Sequence, residues 1–177
     1  MAPGISLTTG AGLGGDIVDG AVVKAGRACC SPTCTGSHGN AALLVVIMEA
    51  DRELGRHYAD FLRLAGHRVI LARDGQSGLK VVVERRPDLV LIGSGLVPLD
   101  GLSVLAVLRA GPITGGIAAV LIAPREDPDI RKRALTLGAD EVVLKGLMTS
   151  GGIARRIPHW ILARSREQAT RRRIRAV

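Results

Sequence analysis

The sequence predicts an α/β fold in which five parallel strands form one doubly wound sheet with helices on both faces. From residue 41 onward, short continuous apolar runs alternate with amphipathic segments, and this β-α order repeats five times. The chain contains only one Trp, one Tyr and one Phe. Its core must therefore come from aliphatic side chains, as is typical of parallel strands that are buried on both faces.

Each predicted strand is a short apolar run. The first, 42–48, stops at Glu49, and the fifth, 141–144, stops at Lys145. In doubly wound sheets the functional crevice lies beyond the carboxyl ends of the strands, so the residues that follow each run are the candidates for function. The other three strands are expected at 68–72, 88–92 and 118–122.

Helices are expected between the strands, because capping residues precede segments with helical spacing. Asp51 can accept hydrogen bonds from the first free amides of a helix that Gly66 ends. Pro128 stands where proline is favoured in a first turn, whereas Gly78 lowers the propensity of the second helix. The predicted helices are 54–65, 76–85, 102–110, 128–137 and a last one from about Ser150, with a kink near Pro158.

The composition divides the chain into three parts. Residues 1–40 are rich in Gly, Ala, Ser and Thr without a sustained apolar period, which predicts a flexible leader. The α/β domain is expected over 41–160, and 161–177 form a basic, helical tail. The net charge is +8, and 151–177 alone carry eight Arg against Glu167, a net of +7.

The basic tail is a candidate polyanion-binding segment, because arginines can contact phosphates. A solvated basic helix, or a helix that docks on an acidic partner, explains the same charge. The candidate contacts are Arg164, Arg166, Arg171, Arg172, Arg173 and Arg175.

A cytoplasmic location is expected. No apolar stretch approaches the roughly 18 to 20 residues that span a bilayer, and the start of the chain lacks the pattern of a signal peptide. Cys29, Cys30 and Cys34 all precede the predicted domain, which does not describe a disulfide framework.

Two motifs in the leader suggest ligands but lack the context that those ligands need. Residues 10–15 match the glycine fingerprint of dinucleotide sites, yet no acidic residue follows at the required distance of about 20 residues. Cys29, Cys30, Cys34 and His38 offer zinc ligands, but their close spacing fits tetrahedral coordination poorly. Low-complexity glycine and reduced thiols are the favoured interpretations.

Four segments carry motifs in a characteristic order: RPDLVLI at 86–92, LDGL at 99–102, REDP at 125–128 and GADE at 138–141, which runs on to Lys145. Over about 41–160 the chain resembles the receiver domains of response regulators in two-component signalling, of the chemotaxis-regulator type. The resemblance implies a flavodoxin-like (β/α)5 fold and a place in phosphorelay signal transduction.

The resemblance also implies where a phosphorylation site would lie. The family has an acidic pair after the first strand, a phosphoacceptor Asp after the third, a Ser or Thr after the fourth and a Lys after the fifth. These positions fall on Glu49 and Ala50, Gly93, Ala123 and Lys145. Only Glu49 and Lys145 keep the chemistry, so we expect neither an acyl phosphate nor more than very weak Mg²⁺ binding.

The sequence thus predicts a pseudo-receiver that is not an enzyme and needs no cofactor. It would act by contact with a protein partner, such as a kinase, another regulator or a second copy. The alternative is a nucleic-acid-associated regulator that uses the basic tail, with the receiver-like part for dimerisation. An enzyme or cofactor binder rests on the glycine motif alone and has no visible group of nucleophile and base.

Overall fold

The structure is a computed structural model that describes residues 42–145 and 150–175. Five parallel strands form one sheet, as predicted, and their order is β2-β1-β3-β4-β5. The leader, with its glycine motif and its Cys/His group, lies outside the described residues. The elements are β1 (Leu44–Met48), α1 (Arg52–Leu64), β2 (Arg68–Ala72), α2 (Gly75–Arg85), β3 (Leu89–Gly93), α3 (Gly101–Ala110), β4 (Ala118–Ala123), α4 (Pro128–Thr136), β5 (Glu141–Leu144) and α5 (Ser150–Arg175).

The sheet separates two aliphatic cores, because side chains alternate between its faces. Val46 of β1 lies in a core that includes buried residues of α2, α3 and α4. The next residue, Ile47, lies in the second core, which α1 and α5 cover. All residues of β3 and β4 are buried, which explains why these two strands are continuous apolar runs.

Aspartate caps begin the first four helices. The carboxylate of Asp51 accepts hydrogen bonds from the amides of Glu53 and Leu54, at 3.0 and 3.1 Å. Such a cap contributes on the order of 1 kcal/mol and fixes where the chain turns from strand to helix. Asp74, Asp100 and Asp127 cap α2, α3 and α4 in the same way.

Gly78 lies in α2 because that helix passes very close to β1. A Cβ atom at Gly78 would lie 2.5 Å from the sulfur of Met48, a side chain that is fully buried. A glycine costs about 1 kcal/mol of helix propensity at this point. The close packing of α2 on the sheet is the reason for it.

The last helix is longer than the domain boundary drawn from the sequence. α5 includes Pro158 and continues across residues 160 and 161 to Arg175. Ile161 packs against the core, and the side chain of Arg164 is buried. Within the described part of the chain, no helix is long and apolar enough to cross a bilayer.

Candidate functional site at the carboxyl edge of the sheet

The carboxyl ends of the parallel strands bring four of the predicted site positions to one edge. Gly93 ends β3 and Ala123 ends β4, while Glu49 and Lys145 directly follow β1 and β5. The pairing of β1 with β3, of β3 with β4 and of β4 with β5 places these ends next to one another. We therefore expect the functional site of the domain to lie at this edge.

Glu49 and Lys145 form an ion pair across this edge. The Nζ atom of Lys145 lies 2.8 Å from each carboxylate oxygen of Glu49, and the contact with Oε1 has hydrogen-bond geometry. The amide of Asp51 also donates to Oε1, at 3.2 Å. Glu49 is only 3% exposed. Because a buried carboxylate is costly without a counter-charge, Lys145 is its main compensation.

The carboxylate of Glu49 lies over Gly93. A Cβ atom at Gly93 would be 3.0 Å from Oε2 of Glu49 and 3.1 Å from the carbonyl oxygen of Met48. From the other side, a Cβ atom at Gly101 would be 2.4 Å from the carbonyl oxygen of Gly93. The backbone at the end of β3 is thus enclosed, and the Glu49 carboxylate, which Lys145 holds, lies in the space that a side chain at Gly93 would enter.

Neither alanine of the predicted site adds a polar group. Ala50 is exposed beside Glu49. Ala123 is 2% exposed, and its carbonyl oxygen accepts a hydrogen bond from the amide of Lys145 at 2.7 Å. Ala123 thus helps to position the backbone of Lys145, while its methyl group belongs to the aliphatic core.

These residues do not fit the Mg²⁺ site that the fold family implies. Mg²⁺ is usually held through carboxylates in near-octahedral geometry and gives up its water reluctantly. Of the five predicted positions, only Glu49 carries a carboxylate, and both of its oxygens face Lys145. The residues that the structure describes contain no group of three or more His, Cys, Asp or Glu side chains arranged to hold a metal ion.

Tyr58 of α1 also lies next to this site, although the sequence did not predict this position. Its side chain is 3% exposed, and α1 packs so closely that a Cβ atom at Gly55 would lie 3.5 Å from Cβ of Glu49. Burial and, secondly, the negative charge of Glu49 raise the pKa of the Tyr58 hydroxyl. Helical spacing could assign Tyr58 only to the core.

A second polar cluster, also missed from the sequence, lies at the opposite, amino edge of the sheet. The guanidinium of Arg109 donates to the carbonyl oxygens of Gly138 and Ile117, at 2.8 and 2.7 Å, and to Asp140 at 3.0 Å. The amide of Ala119 donates to the same Asp140 oxygen at 2.7 Å. Burial raises the pKa of Asp140, although this amide and the nearby arginines act in the opposite direction.

Arg164 belongs to this cluster, and its predicted role as a polyanion contact is wrong. Arg164 is 5% exposed and donates to the carbonyl oxygen of Gly115 at 2.6 Å and to Glu167 at 2.7 Å. The guanidinium is therefore held inside the domain and cannot reach a phosphate in solution. The prediction rested on the charge of the segment, which does not indicate which side of the helix each arginine occupies.

The other predicted tail contacts divide into two groups. Arg166 and Arg173 are exposed on α5, where a polyanion could reach them. Arg171, Arg172 and Arg175 belong to the same helix, but their side chains lie outside the described part of the structure.

The order of the strands is that of flavodoxin-like domains, which include receiver domains, and comparison with known proteins identifies the family. The family model "Response regulator receiver domain" matches residues 45–154, so the chain belongs to this family. The resemblance and the fold class predicted from the sequence are confirmed.

Curated relatives of this chain are transcriptional regulators. The chain is 30% identical over 111 residues to the transcriptional regulatory protein PrrA of Mycobacterium tuberculosis, with 63% of this chain and 47% of the relative covered. It is 36% identical over 80 residues to AfsQ1 of Streptomyces coelicolor, with 45% and 34% covered. The chain thus spans about half the length, or less, of these relatives.

Solved structures share the fold. A putative response regulator from Chloroflexus aurantiacus matches with a TM-score of 0.65 at 19% identity, covering 69% of this chain and 99% of that one. A CheY-like receiver domain protein from Methanospirillum hungatei matches with a TM-score of 0.65 at 16% identity, covering 72% and 99%. At these identities the likeness concerns the fold alone.

Proposed function

We propose that this protein is a receiver module that signals by protein contact without being phosphorylated. The observation that carries the proposal is the Glu49–Lys145 ion pair closed over Gly93, at the strand end where the family has its acceptor aspartate. A glycine offers no oxygen for phosphoryl transfer. The remaining carboxylate is neutralised by an ammonium within the protein, so it has little residual charge to attract a cation.

The alternative acceptors are badly placed. Asp88 lies at the amino edge, where its carboxylate accepts a hydrogen bond from the amide of Leu44 at 2.8 Å. Asp100 caps α3 by accepting from the amide of Ser103 at 2.8 Å. Asp51 caps α1. Each carboxylate already has a structural role, and none ends β3.

We propose that the target is a protein partner in the cytoplasm. We also propose that this partner contacts the surface of α4. Ala134 is the buried residue of that helix. A concavity of about 610 Å³ runs along it, lined by Lys132, Arg133 and Leu137 among others. Leu135 is 46% exposed beside these charges. This mixture of charged and apolar groups suits a transient protein interface more than a small-molecule pocket.

The decisive experiment is phosphorylation of the full chain with radiolabelled acetyl phosphate and Mg²⁺. A receiver with an aspartate at the end of its third strand serves as the positive control under the same conditions. We expect no label that survives purification and is released by base. A base-labile phosphoprotein signal in the unmodified chain would overturn the proposal, and mass spectrometry of the labelled peptide would identify the acceptor.

The partner surface is tested separately. Leu135→Glu should weaken the capture of a partner or self-association, whereas Leu64→Glu, at an 87% exposed position on α1, is the matched control. Equal effects of the two substitutions would exclude α4 as the contact surface while leaving the phosphorylation result unaffected.

A further inference from the structure

The inward face of α5 determines which arginines the helix presents to solvent. Ile153, Ile157, Trp160 and Arg164 are buried, and they recur every three or four residues. An α-helix turns by about 100° per residue, so these four side chains define one face. Residues about half a turn away must point away from the sheet.

That outward face forms a basic stripe. We define the stripe by Arg155, His159, Leu162, Arg166 and Arg173, all exposed and separated by 4, 3, 4 and 7 positions. At a rise of about 1.5 Å per residue, the stripe is about 27 Å long. Within 42–145 and 150–175, none of its three guanidinium groups forms an ion pair with a carboxylate.

The acidic groups near α5 are bound elsewhere. Glu167 is the only acid between residues 150 and 175, and Arg164 binds it from the inward side at 2.7 Å. Glu141 is held by Arg156 at 2.7 Å and by the indole nitrogen of Trp160 at 2.6 Å. The described partners of Glu141 and Glu167 are thus Arg156, Trp160 and Arg164, and none of these three residues belongs to the stripe.

We propose that the stripe binds the phosphate backbone of a nucleic-acid duplex. A duplex presents about one negative charge per 1.7 Å of axis, so a stripe about 27 Å long faces phosphates over roughly 8 base pairs. A membrane surface fits less well, because an interfacial helix inserts an apolar face. The apolar face of α5 is buried on the sheet, and Leu162 is the only large apolar residue of the stripe.

The stripe should bind without sequence preference. Base edges are read by bidentate side chains such as Asn and Gln, or by Arg directed into a groove from a rigid support. The stripe contains no Asn or Gln, and the amide of Gln168 donates to the carbonyl oxygen of Gly116 inside the domain. Contacts to phosphate position a protein on the duplex but carry no sequence information.

The test is titration of fluorescent 24-base-pair duplexes of two unrelated sequences with the full chain, between 50 and 200 mM salt. The stripe variant combines Arg155→Gln, Arg166→Gln and Arg173→Gln. The matched control combines Lys80→Gln, Arg85→Gln and Arg125→Gln, which removes the same charge from exposed positions on α2 and in the loop after β4. Circular dichroism confirms that all three proteins are equally helical.

Three phosphate contacts correspond to a slope of about −2.7 in log affinity against log salt, or on the order of 40-fold between these two salt concentrations. We expect the stripe variant to lose that part of the salt dependence and at least 10-fold in affinity at 50 mM salt. The control should change less than 3-fold, and the two duplexes should bind alike.

Equal losses in the two variants would show that net charge alone drives binding, and would overturn the proposal. So would the absence of binding by the full chain at 50 mM salt. Tighter binding to vesicles that contain phosphatidylserine than to duplex, lost in the stripe variant, would assign the stripe to membranes instead. None of these outcomes depends on whether the chain accepts a phosphoryl group.

Discussion

Lys145 and Glu49 are 96 positions apart in the chain, yet the ammonium of one lies 2.8 Å from both carboxylate oxygens of the other. The pair connects the residue after β5 to the residue after β1, across the ends of β3 and β4. It thus links the outer strand of the sheet to a central strand at the carboxyl edge. In this structure the two charges that the site retains compensate each other at the carboxyl edge.

Removing one partner should therefore cost more than removing both. Lys145→Met leaves a carboxylate that is 3% exposed without its counter-charge, and we expect about 2 kcal/mol loss in the free energy of unfolding. This is below the 3–5 kcal/mol typical of fully buried pairs, because the side chain of Lys145 is 23% exposed and the pair is partly screened. The measurement is urea denaturation of the full chain.

The control is the double variant Glu49→Gln with Lys145→Met, which removes both charges and keeps an acceptor for the amide of Asp51. It should recover most of the lost stability, to within about 1 kcal/mol of the wild type. Additive losses in the double variant would show that the two residues act independently, and that the pair is not the source of the stabilisation.

Asp140 gives a pH-dependent prediction. Burial raises the pKa of Asp140 above that of the unfolded chain, so the folded state binds its proton more tightly. The stability that this residue contributes is therefore greatest below the ordinary Asp pKa, and it is lost as the pH rises through the raised value. Unfolding of the wild type and of Asp140→Asn between pH 3.5 and 7 should show the wild type losing stability relative to the variant.

The opposite trend, with the wild type gaining on the Asn variant as the pH rises, would mean that Arg109 and Arg164 outweigh burial at Asp140. The Asn side chain keeps an acceptor for the amide of Ala119. The comparison thus isolates the charge from the hydrogen bond.

Because part of α5 is buried in the domain, we expect two truncations of this helix to change the free energy of unfolding by different amounts. Deletion of 164–177 removes the buried Arg164, together with its bond to Gly115, and the contact of Gln168 with Gly116. This deletion should lower the free energy of unfolding by about 2–4 kcal/mol, because buried polar groups lose their partners. Deletion of 169–177 removes only residues beyond these contacts and should cost less than about 0.5 kcal/mol.

Thermal melts of both truncated chains against the full chain check this prediction. The sequence placed 161–177 in a basic tail outside the domain, and equal stability of the two truncated chains would support that boundary. It would also contradict the structural role assigned to Arg164.

The sequence could place those site residues whose position depends on where a strand ends. It could not place residues whose position depends on tertiary packing alone. Gly93 and Lys145 could be placed because each stands at the end of an apolar run, and the ends of parallel strands lie at the carboxyl edge of the sheet. Arg164 could not, since eight arginines near a helix carry no signal of which one is buried. The Arg109–Asp140 contact joins residues 31 apart through loops whose geometry no local pattern encodes.

Restoring the site is the most demanding prediction. Gly93→Asp alone should destabilise the fold by about 2–3 kcal/mol, because its Cβ would meet the Glu49 carboxylate at 3.0 Å and the two negative charges would repel. Ala50→Asp adds a carboxylate at an exposed position, and Ala123→Thr adds the hydroxyl. The triple variant then combines three carboxylates with Lys145, a formal charge of −2 that favours a divalent cation.

Because Mg²⁺ binds only the folded state, it should raise the melting temperature of the triple variant and leave the wild type unchanged. At 10 mM Mg²⁺, a site with a Kd of about 1 mM gains about 1.4 kcal/mol, or roughly 4 °C. The matched control carries Gly93→Asn in place of Gly93→Asp, which keeps the bulk and removes the charge, and its response should be far smaller. Acetyl phosphate should label the triple variant, and neither the wild type nor the Asn control should take up the label. If Mg²⁺ stabilises the wild type as much as the triple variant, or if the folded triple variant ignores Mg²⁺, then Glu49, Ala50, Gly93 and Lys145 do not share one pocket.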